Sequence, residues 1–199
     1  VGKVGSDIFG DQLINSLNES GVGTRNILRE NGVSSGVGDI ILEVKEGQKA
    51  RNRIIVVPGA NMRITVEDIS FLQDTISQYD MVMMQNEIPT EIDAEVTYLA
   101  YERGIPSMLN PAPSGKFPDS MISKLAYISP NEHEASDMTG VRLYDTDGGI
   151  DIDAVKKAAA YLLRMGVGNV VITLGSRGVA FMNKDKFLYK PCIDIVDVI

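Results

Sequence analysis

Apolar positions along the chain fall into two rhythms, and their order predicts the architecture. Ile8, Phe9, Leu13 and Leu17 recur at helical spacing behind Ser6-Asp7 and stop at Gly21, which predicts a helix with an N-cap and a glycine past its end. Two β-like runs follow, Gly38 to Val44 and Arg53 to Val57, and the polar stretch Lys45 to Asn52 between them predicts a hairpin-like excursion. After Pro58-Gly59, helix and strand alternate. Thr65 reads as a cap, with Ile69, Leu72 and Ile76 as an apolar stripe, and the strand Asp80 to Gln85 follows. A helix from Thr90 with Ile92, Val96 and Leu99 on one face then feeds the strand Ile105 to Leu109. Beyond the break Asn110-Pro-Ala-Pro-Ser-Gly115 come a short helix, the strand Ala126 to Ser129 and a helix opened by Pro130-Asn131. The helix Ile152 to Met165 ends at Gly166-Val-Gly168 and leads into the strand Val170 to Leu174. Strands separated by helices, several uniformly apolar, predict an α/β fold with a mostly parallel sheet covered on both faces.

Composition narrows the function classes. The 199 residues are 44% apolar and 23% charged, as in an ordinary globular protein. Lys+Arg 19 against Asp+Glu 27 gives a formal charge of −8, which argues against nucleic acid or an anionic membrane as the main partner. Local basic sites for a phosphate ligand stay open. The longest apolar runs, Asn169 to Leu174 and Arg53 to Val57, are strand-sized and short of the ~18 residues of a membrane helix, so a soluble protein is expected. The lone thiol, Cys192, can form neither an internal disulfide nor a zinc site, which points to a reducing cytoplasm and a buried, inert role. Met81, Met83 and Met84 are expected in the core. His133 is the only histidine, so Asp and Glu must do any acid–base work.

In parallel sheets ligands bind beyond the carboxyl ends of the strands, which singles out Gln85 to Pro89, Asn110 to Pro113, Pro130 to Glu134 and Gly175 to Gly178 on one edge. Glu87 can accept hydrogen bonds from substrate hydroxyls, or serve as a solvated loop acid. A proline at a helix start leaves N–H groups to face an anion, and Asn131 and Glu134 share a face, with Glu134 suited to a hydrated Mg²⁺. The same residues also read as an ordinary capped helix. In Leu174 to Gly178, two glycines let a ligand approach the backbone and Arg177 supplies a phosphate partner. Two other glycine pairs fail their motifs. Gly36-Val-Gly38 precedes a strand where an anion hole needs a helix, and Gly166-Val-Gly168 follows a helix and lacks the third glycine of a dinucleotide fingerprint.

Taken together, Val1 to Asp7 with Phe9-Gly10, Val57 to Asn61, Gln85 to Pro89, Leu109 to Pro113, Pro130 to Glu134 and Ile172 to Gly178 form six blocks in order. At compatible spacing across nearly the whole chain, they strongly resemble the ribokinase branch of the PfkB carbohydrate kinase family. The resemblance implies a ribokinase-like three-layer α/β fold, with residues 36–57 as a small β lid inside an incomplete domain spanning 1–199. By it, Glu87 looks like the sugar-binding glutamate, and Val37, Gly38 and Ile40 are placed to cover the sugar. Asn131 looks like the asparagine near the nucleotide phosphates, and Thr173, Leu174, Gly175, Ser176, Arg177 and Gly178 look like the nucleotide-binding loop. Glu134 looks like the acid associated with Mg²⁺, acting through water. Asp197 looks like the first ligand of a monovalent-cation site with K⁺ as activator, although Val198 stands where threonine is usual. Paired lids imply a homodimer.

The implied reaction moves the γ-phosphoryl group of ATP to a sugar hydroxymethyl, with D-ribose the expected acceptor and deoxyribose, fructose or a nucleoside the alternatives. Such transfer depends on alignment, on cations neutralising phosphate charge and on a base for the hydroxyl proton. The family's Gly-Ala-Gly-Asp motif with that base is expected beyond Ile199, and its glycine-rich sugar motif before Val1. No catalytic residue is therefore named within 1–199, and that stretch alone is expected to lack phosphotransfer. A non-catalytic sugar- or nucleotide-binding module is the competing reading. A nicotinamide-dependent oxidoreductase is disfavoured by the missing fingerprint.

Overall fold

The first helix forms where the apolar rhythm predicts it. In the computed structural model, which describes residues 1–43, 51–145 and 147–193, α1 spans Ile8–Glu19 with Asp7 as its N-cap, and the chain reverses at Gly21. Ile8, Phe9 and Leu13 of the stripe stay exposed and Leu17 is half-buried, and only Gly10 of α1 is buried, backed onto the carbonyl of Gly5 and the Val4 side chain. Two compact units emerge among the described residues, one of Val1–Ser70 and Glu87–Pro89, the other of Phe71–Asn86 and the described residues from Thr90 onward.

In the first unit, β1 (Gly2–Gly5) pairs in parallel with β2 (Ile27–Glu30). The antiparallel hairpin of β3 (Val37–Glu43) and β4 (Arg51–Val57) sets Val37 opposite Val57 and Glu43 opposite Arg51. Residues 44–50 of the expected lid, and Asp197, lie outside the described residues. The buried Lys3 ammonium stitches the unit together. It pairs with Asp68 at 2.6 Å and Glu30 at 3.3 Å and donates to the Arg63 carbonyl at 2.9 Å. The Asp68 hydrogen bond outweighs desolvation and raises the Lys3 pKa.

The single helix expected behind Thr65 is instead three short pieces. They are a 3-10 turn at Glu67–Ile69, α2 (Leu72–Thr75) and a second 3-10 turn at Ile76–Gln78. Ile69, Leu72 and Ile76 are buried as their spacing suggests. The Thr65 N–H donates to the Asp68 carboxylate at 2.9 Å, the bond that a side chain three residues into a helix returns to its cap, so Thr65 does mark a helical start.

The second unit holds a six-stranded sheet in the order β10-β9-β8-β7-β6-β5. Here β5 (Val82–Gln85), β6 (Ser107–Asn110), β7 (Tyr127–Ile128) and β8 (Asn169–Thr173) run parallel, as predicted. An antiparallel extension, β9 (Val179–Asn183) and β10 (Phe187–Lys190), was not expected from the helix–strand alternation. The sheet is flanked by helices. α3 (Thr90–Glu102) packs on β5 and β6, and α4 (Asp119–Ile122) packs on α3. α5 (Glu132–Thr139) packs on β8, and α6 (Ile152–Arg164) on β8 and β9. Leu109, Ile128, Val170, Ile172, Val155 and Leu162 are fully buried here, each worth ~1.5–3 kcal/mol in transfer from water.

Two packing expectations are corrected. Strand alternation sends Met84 toward α3, where the Thr97 hydroxyl lies 3.7 Å from its sulfur, and leaves Met83 71% exposed; Met81 is exposed too. Cys192 is exposed in the segment after β10, with its sulfur 3.6 Å from the Gly175 carbonyl, and is not a core thiol. No helix among the described residues is long and apolar enough to cross a membrane.

Candidate active site

The parallel run of β5 to β8 brings four carboxyl ends to one edge of the second unit's sheet. After β5, the Asn86 N–H donates to the Ala112 carbonyl at 3.1 Å and its Nδ2 to the Pro113 carbonyl at 2.7 Å. That ties it to the segment after β6. After β7, the Pro130 carbonyl accepts the N–H of Thr173 at 3.0 Å, and Asn131 bridges to Thr173. The start of α5 and the loop after β8 are thereby joined.

Asn131 is the N-cap of α5. Its Oδ1 accepts the N–H groups of His133 and Glu134, each at 2.9 Å, and Glu134 Oε2 returns the bond by accepting the Asn131 N–H at 2.8 Å. This is a reciprocal capping box. The N–H groups expected to face an anion at this helix start are therefore already taken, because the short Asn131 side chain folds back over them. Asn131 Nδ2 and Glu134 Oε1 are the remaining polar atoms of the pair. Glu134 is buried and Asn131 half-buried.

The loop after β8 folds on the buried Leu174, whose N–H donates to the Gly178 carbonyl at 2.9 Å around a 3-10 turn at Gly175–Arg177. Thr173, Gly175, Ser176 and Arg177 are exposed and Gly178 is half-buried. The Arg177 guanidinium does not stand free. It donates to the Gly148 carbonyl at 2.6 Å and sits 5.8 Å from the centre of the Tyr144 ring. The Tyr144 hydroxyl donates to Glu132 Oε1 at 2.9 Å, and the His133 and Tyr144 ring centres lie 5.7 Å apart. Burial first, and the Glu132 acceptor second, push the Tyr144 hydroxyl up to about 12. Glu132 and Tyr144 escaped the sequence reading. Glu132 stood between the two motif residues singled out, and Tyr144 falls in a polar stretch with no periodic signal.

In the first unit, Glu87 is exposed, two residues past the end of β5 in sequence. Val37, Gly38 and Ile40 lie exposed along β3, immediately above Ser35 and Gly36. Gly36-Val-Gly38 opens a strand and no helix, as the sequence predicts.

The profile of the "pfkB family carbohydrate kinase" matches residues 1–199. A ribokinase from Schizosaccharomyces pombe is 33% identical over 195 residues, covering 96% of this chain and 59% of the relative. A deoxyribokinase from Salmonella typhi is 29% identical over 194 residues, covering 97% and 60%. The structure of Arabidopsis thaliana ribokinase complexed with ribose and ATP superimposes with a TM-score of 0.82 at 25% identity, covering 100% of this chain and 62% of that one. The chain thus spans about three fifths of the length of these relatives. With its helix-flanked α/β sheet and a family match from the first residue to the last, the chain belongs to the pfkB family of carbohydrate kinases.

Proposed function

We propose that the protein carrying this chain is an ATP-dependent sugar kinase that converts D-ribose and ATP to D-ribose 5-phosphate and ADP. The observation that carries the reading is the bridge between Asn131 and Thr173, which fastens the capped start of α5 to the glycine-containing turn after β8. In this reading the ATP phosphates meet Asn131 Nδ2, the exposed backbone of Gly175-Ser176 and the remaining N–H groups of Arg177, with Thr173, Leu174 and Gly178 shaping the loop. Glu87 accepts hydrogen bonds from the sugar hydroxyls, and Val37, Gly38 and Ile40 cover the sugar and keep water from competing with it. The names of the fission-yeast relative and of the plant structure with ribose and ATP favour this pair of substrates.

The donor set suits a Mg²⁺ held largely through water and phosphate oxygens. Glu134 has one oxygen committed to Asn131, and among the described residues no group of three or more His, Cys, Asp or Glu side chains is gathered to hold a metal alone. Bound with ATP, the ion would neutralise phosphate charge during transfer. Asp197 is assigned to an activating K⁺, and no base is assigned within 1–199. The exposed apolar side chains of both hairpin strands, among them Ile40, Ile41, Ile54 and Ile55, favour pairing of two lids in a homodimer. The exposed single thiol suits the reducing cytoplasm.

The test is ADP release by the full-length protein with ribose, deoxyribose, fructose and adenosine. The expected result is kcat/KM at least ~10-fold higher on ribose than on the others, a threshold well below what a site that hydrogen-bonds a substrate hydroxyl can reach. ADP release with none of them overturns the kinase reading in favour of a binding module. A second reading, preference for deoxyribose, is favoured by the Salmonella typhi relative and would appear as the reverse ranking.

A further inference from the structure

The foot of the β3–β4 hairpin is tied to the start of α1 by one carboxylate. Asp7 Oδ1 accepts the Gly10 N–H at 2.8 Å and the Ser35 hydroxyl at 2.7 Å, while Oδ2 accepts the Ser35 N–H at 2.8 Å. The Ser35 hydroxyl oxygen accepts the Gly5 N–H at 3.0 Å, at the end of β1, and Ser35 is wholly buried. These are charge-assisted bonds. With the Ser35 N–H foremost, they hold the Asp7 carboxyl below its usual range. The other leg of the hairpin leaves from the same place. Gly59, at φ 58°, lies so close to the Ser34 carbonyl and the Gly36 N–H that a side chain would not fit, and the Ala60 N–H donates to the Ser34 carbonyl at 2.9 Å.

We infer that Asp7 is a positioning residue for the sugar, fixing through Ser35 the root of β3 and with it the height and tilt of Val37, Gly38 and Ile40. Capping α1 needs only the Gly10 bond; the two bonds to Ser35 add nothing to the helix and are spent on the hairpin foot. A strand acts as a lever. From Ser35 to Ile40 an extended chain covers ~17 Å, so a tilt of ~5° at the root moves Ile40 by ~1.5 Å. A misplacement of ~1 Å can cost ~100-fold in a transfer reaction. The inference rests on the reading of the hairpin as the sugar's cover.

The variants that separate the two duties of Asp7 are Asp7→Ser and Ser35→Ala, made in the full-length protein. Serine is an equally good helix cap but is too short to reach Ser35 as well, so Asp7→Ser keeps α1 and releases the hairpin. Ser35→Ala removes the hydroxyl that joins Gly5 to Asp7. For both, the expected result is a sugar KM raised about 5-fold or more with the ATP KM within about 2-fold of the parent, the split that lost positioning of one substrate produces. Backbone hydrogen exchange across 37–43 and 51–57 should quicken by about 10-fold while that of α1 is unchanged. Unchanged exchange in the hairpin, or both KM values rising together, overturns the inference. Absence of turnover in the parent sinks the kinase reading instead, and hairpin exchange then still decides whether Asp7 holds the root of the hairpin.

Discussion

Glu134 and Asn131 cap each other: the carboxylate takes the asparagine's N–H at 2.8 Å while the asparagine's side-chain oxygen takes the glutamate's at 2.9 Å. A residue assigned to hold Mg²⁺ is thus also a structural bolt, and one variant pulls the duties apart. Glu134→Gln keeps an oxygen that can accept the Asn131 N–H but loses the charge. Its unfolding free energy should stay within about 0.5 kcal/mol of the parent, whereas Asn131→Ala should cost about 1 kcal/mol by removing the cap. In the full-length protein, Glu134→Gln should still lose turnover, measured as ADP release at saturating Mg²⁺. Parent-like turnover would leave the glutamate with its structural role alone.

The parallel strands were legible because each carries its own apolar run and a glycine or capping residue at the next boundary. Asp151, for example, accepts the N–H groups of Asp153 and Ala154 where the α6 pattern begins. In the stretch after Thr65 the apolar spacing marks which side chains are buried, Ile69, Leu72 and Ile76, but does not separate one continuous helix from the short turns that place them on the same side. Asn-x-x-Glu was visible as a motif, yet its spacing suits a capping box as well as a phosphate site, and only the backbone geometry shows that its N–H groups are spent. The tether of Arg177 to Gly148 and Tyr144 joins residues about 30 positions apart in sequence through a loop without periodicity, so no local pattern announces it.

Asp93 makes a prediction about pH. The side chain lies on the buried face of α3, fully inaccessible, and neither carboxylate oxygen has a hydrogen-bond partner among the described residues. β5 and β6 beneath it carry no charged residue, and Asp74 of α2 and Asp119 of α4 are exposed. Burial raises its pKa from 3.8 to about 7. Between those values the folded state keeps a proton that the unfolded chain has lost. Stability should therefore fall as pH rises through this window, by up to ~1.4 kcal/mol per unit, and level off above it. Asp93→Val should flatten that slope and raise the urea midpoint at pH 8 while changing little near pH 4. Parallel midpoint–pH curves for the two proteins would refute the buried-acid account.

Lys3 and Asp68 lean the other way. The Lys3 hydrogen bond comes first among the causes that hold Asp68 below the usual carboxylate range, so its stabilisation is complete above about pH 4 and fades as pH falls through the lowered value. Lys3 has a raised pKa, and its share is lost only as pH climbs through that value. Lys3→Met keeps the buried stem but leaves Asp68 with the Thr65 N–H alone, at a cost of about 2–3 kcal/mol at pH 7, given that Asp68 is partly exposed. Chemical denaturation at pH 7 and pH 3 should show the difference narrowing in acid. A difference independent of pH would mean that packing, and not the ion pair, is what the ammonium provides.

The two glycines flanking the loop after β8 should respond unequally to alanine. At Gly175, φ is 54° and the nearest atom to a new Cβ would be Glu132 Oε1 at 3.6 Å, so Gly175→Ala pays only the left-handed backbone cost, about 1 kcal/mol. At Gly178, φ is 111°, and a Cβ would strike the Lys190 carbonyl and approach Pro191 Cα to 2.7 Å, backbone that cannot swing aside. Gly178→Ala should cost about 3 kcal/mol or more, combining a glycine-only conformation with a rigid clash. Because the Leu174 N–H and the Tyr189 hydroxyl both anchor this turn, on the carbonyls of Gly178 and Arg177, relief of that clash must drag the loop with it. In the full-length protein the ATP KM should then rise several-fold for Gly178→Ala with the sugar KM unmoved, the signature of lost nucleotide binding. Equal unfolding costs for the two alanines would show that the clash is absorbed elsewhere, and an unmoved ATP KM would remove the loop from the nucleotide site.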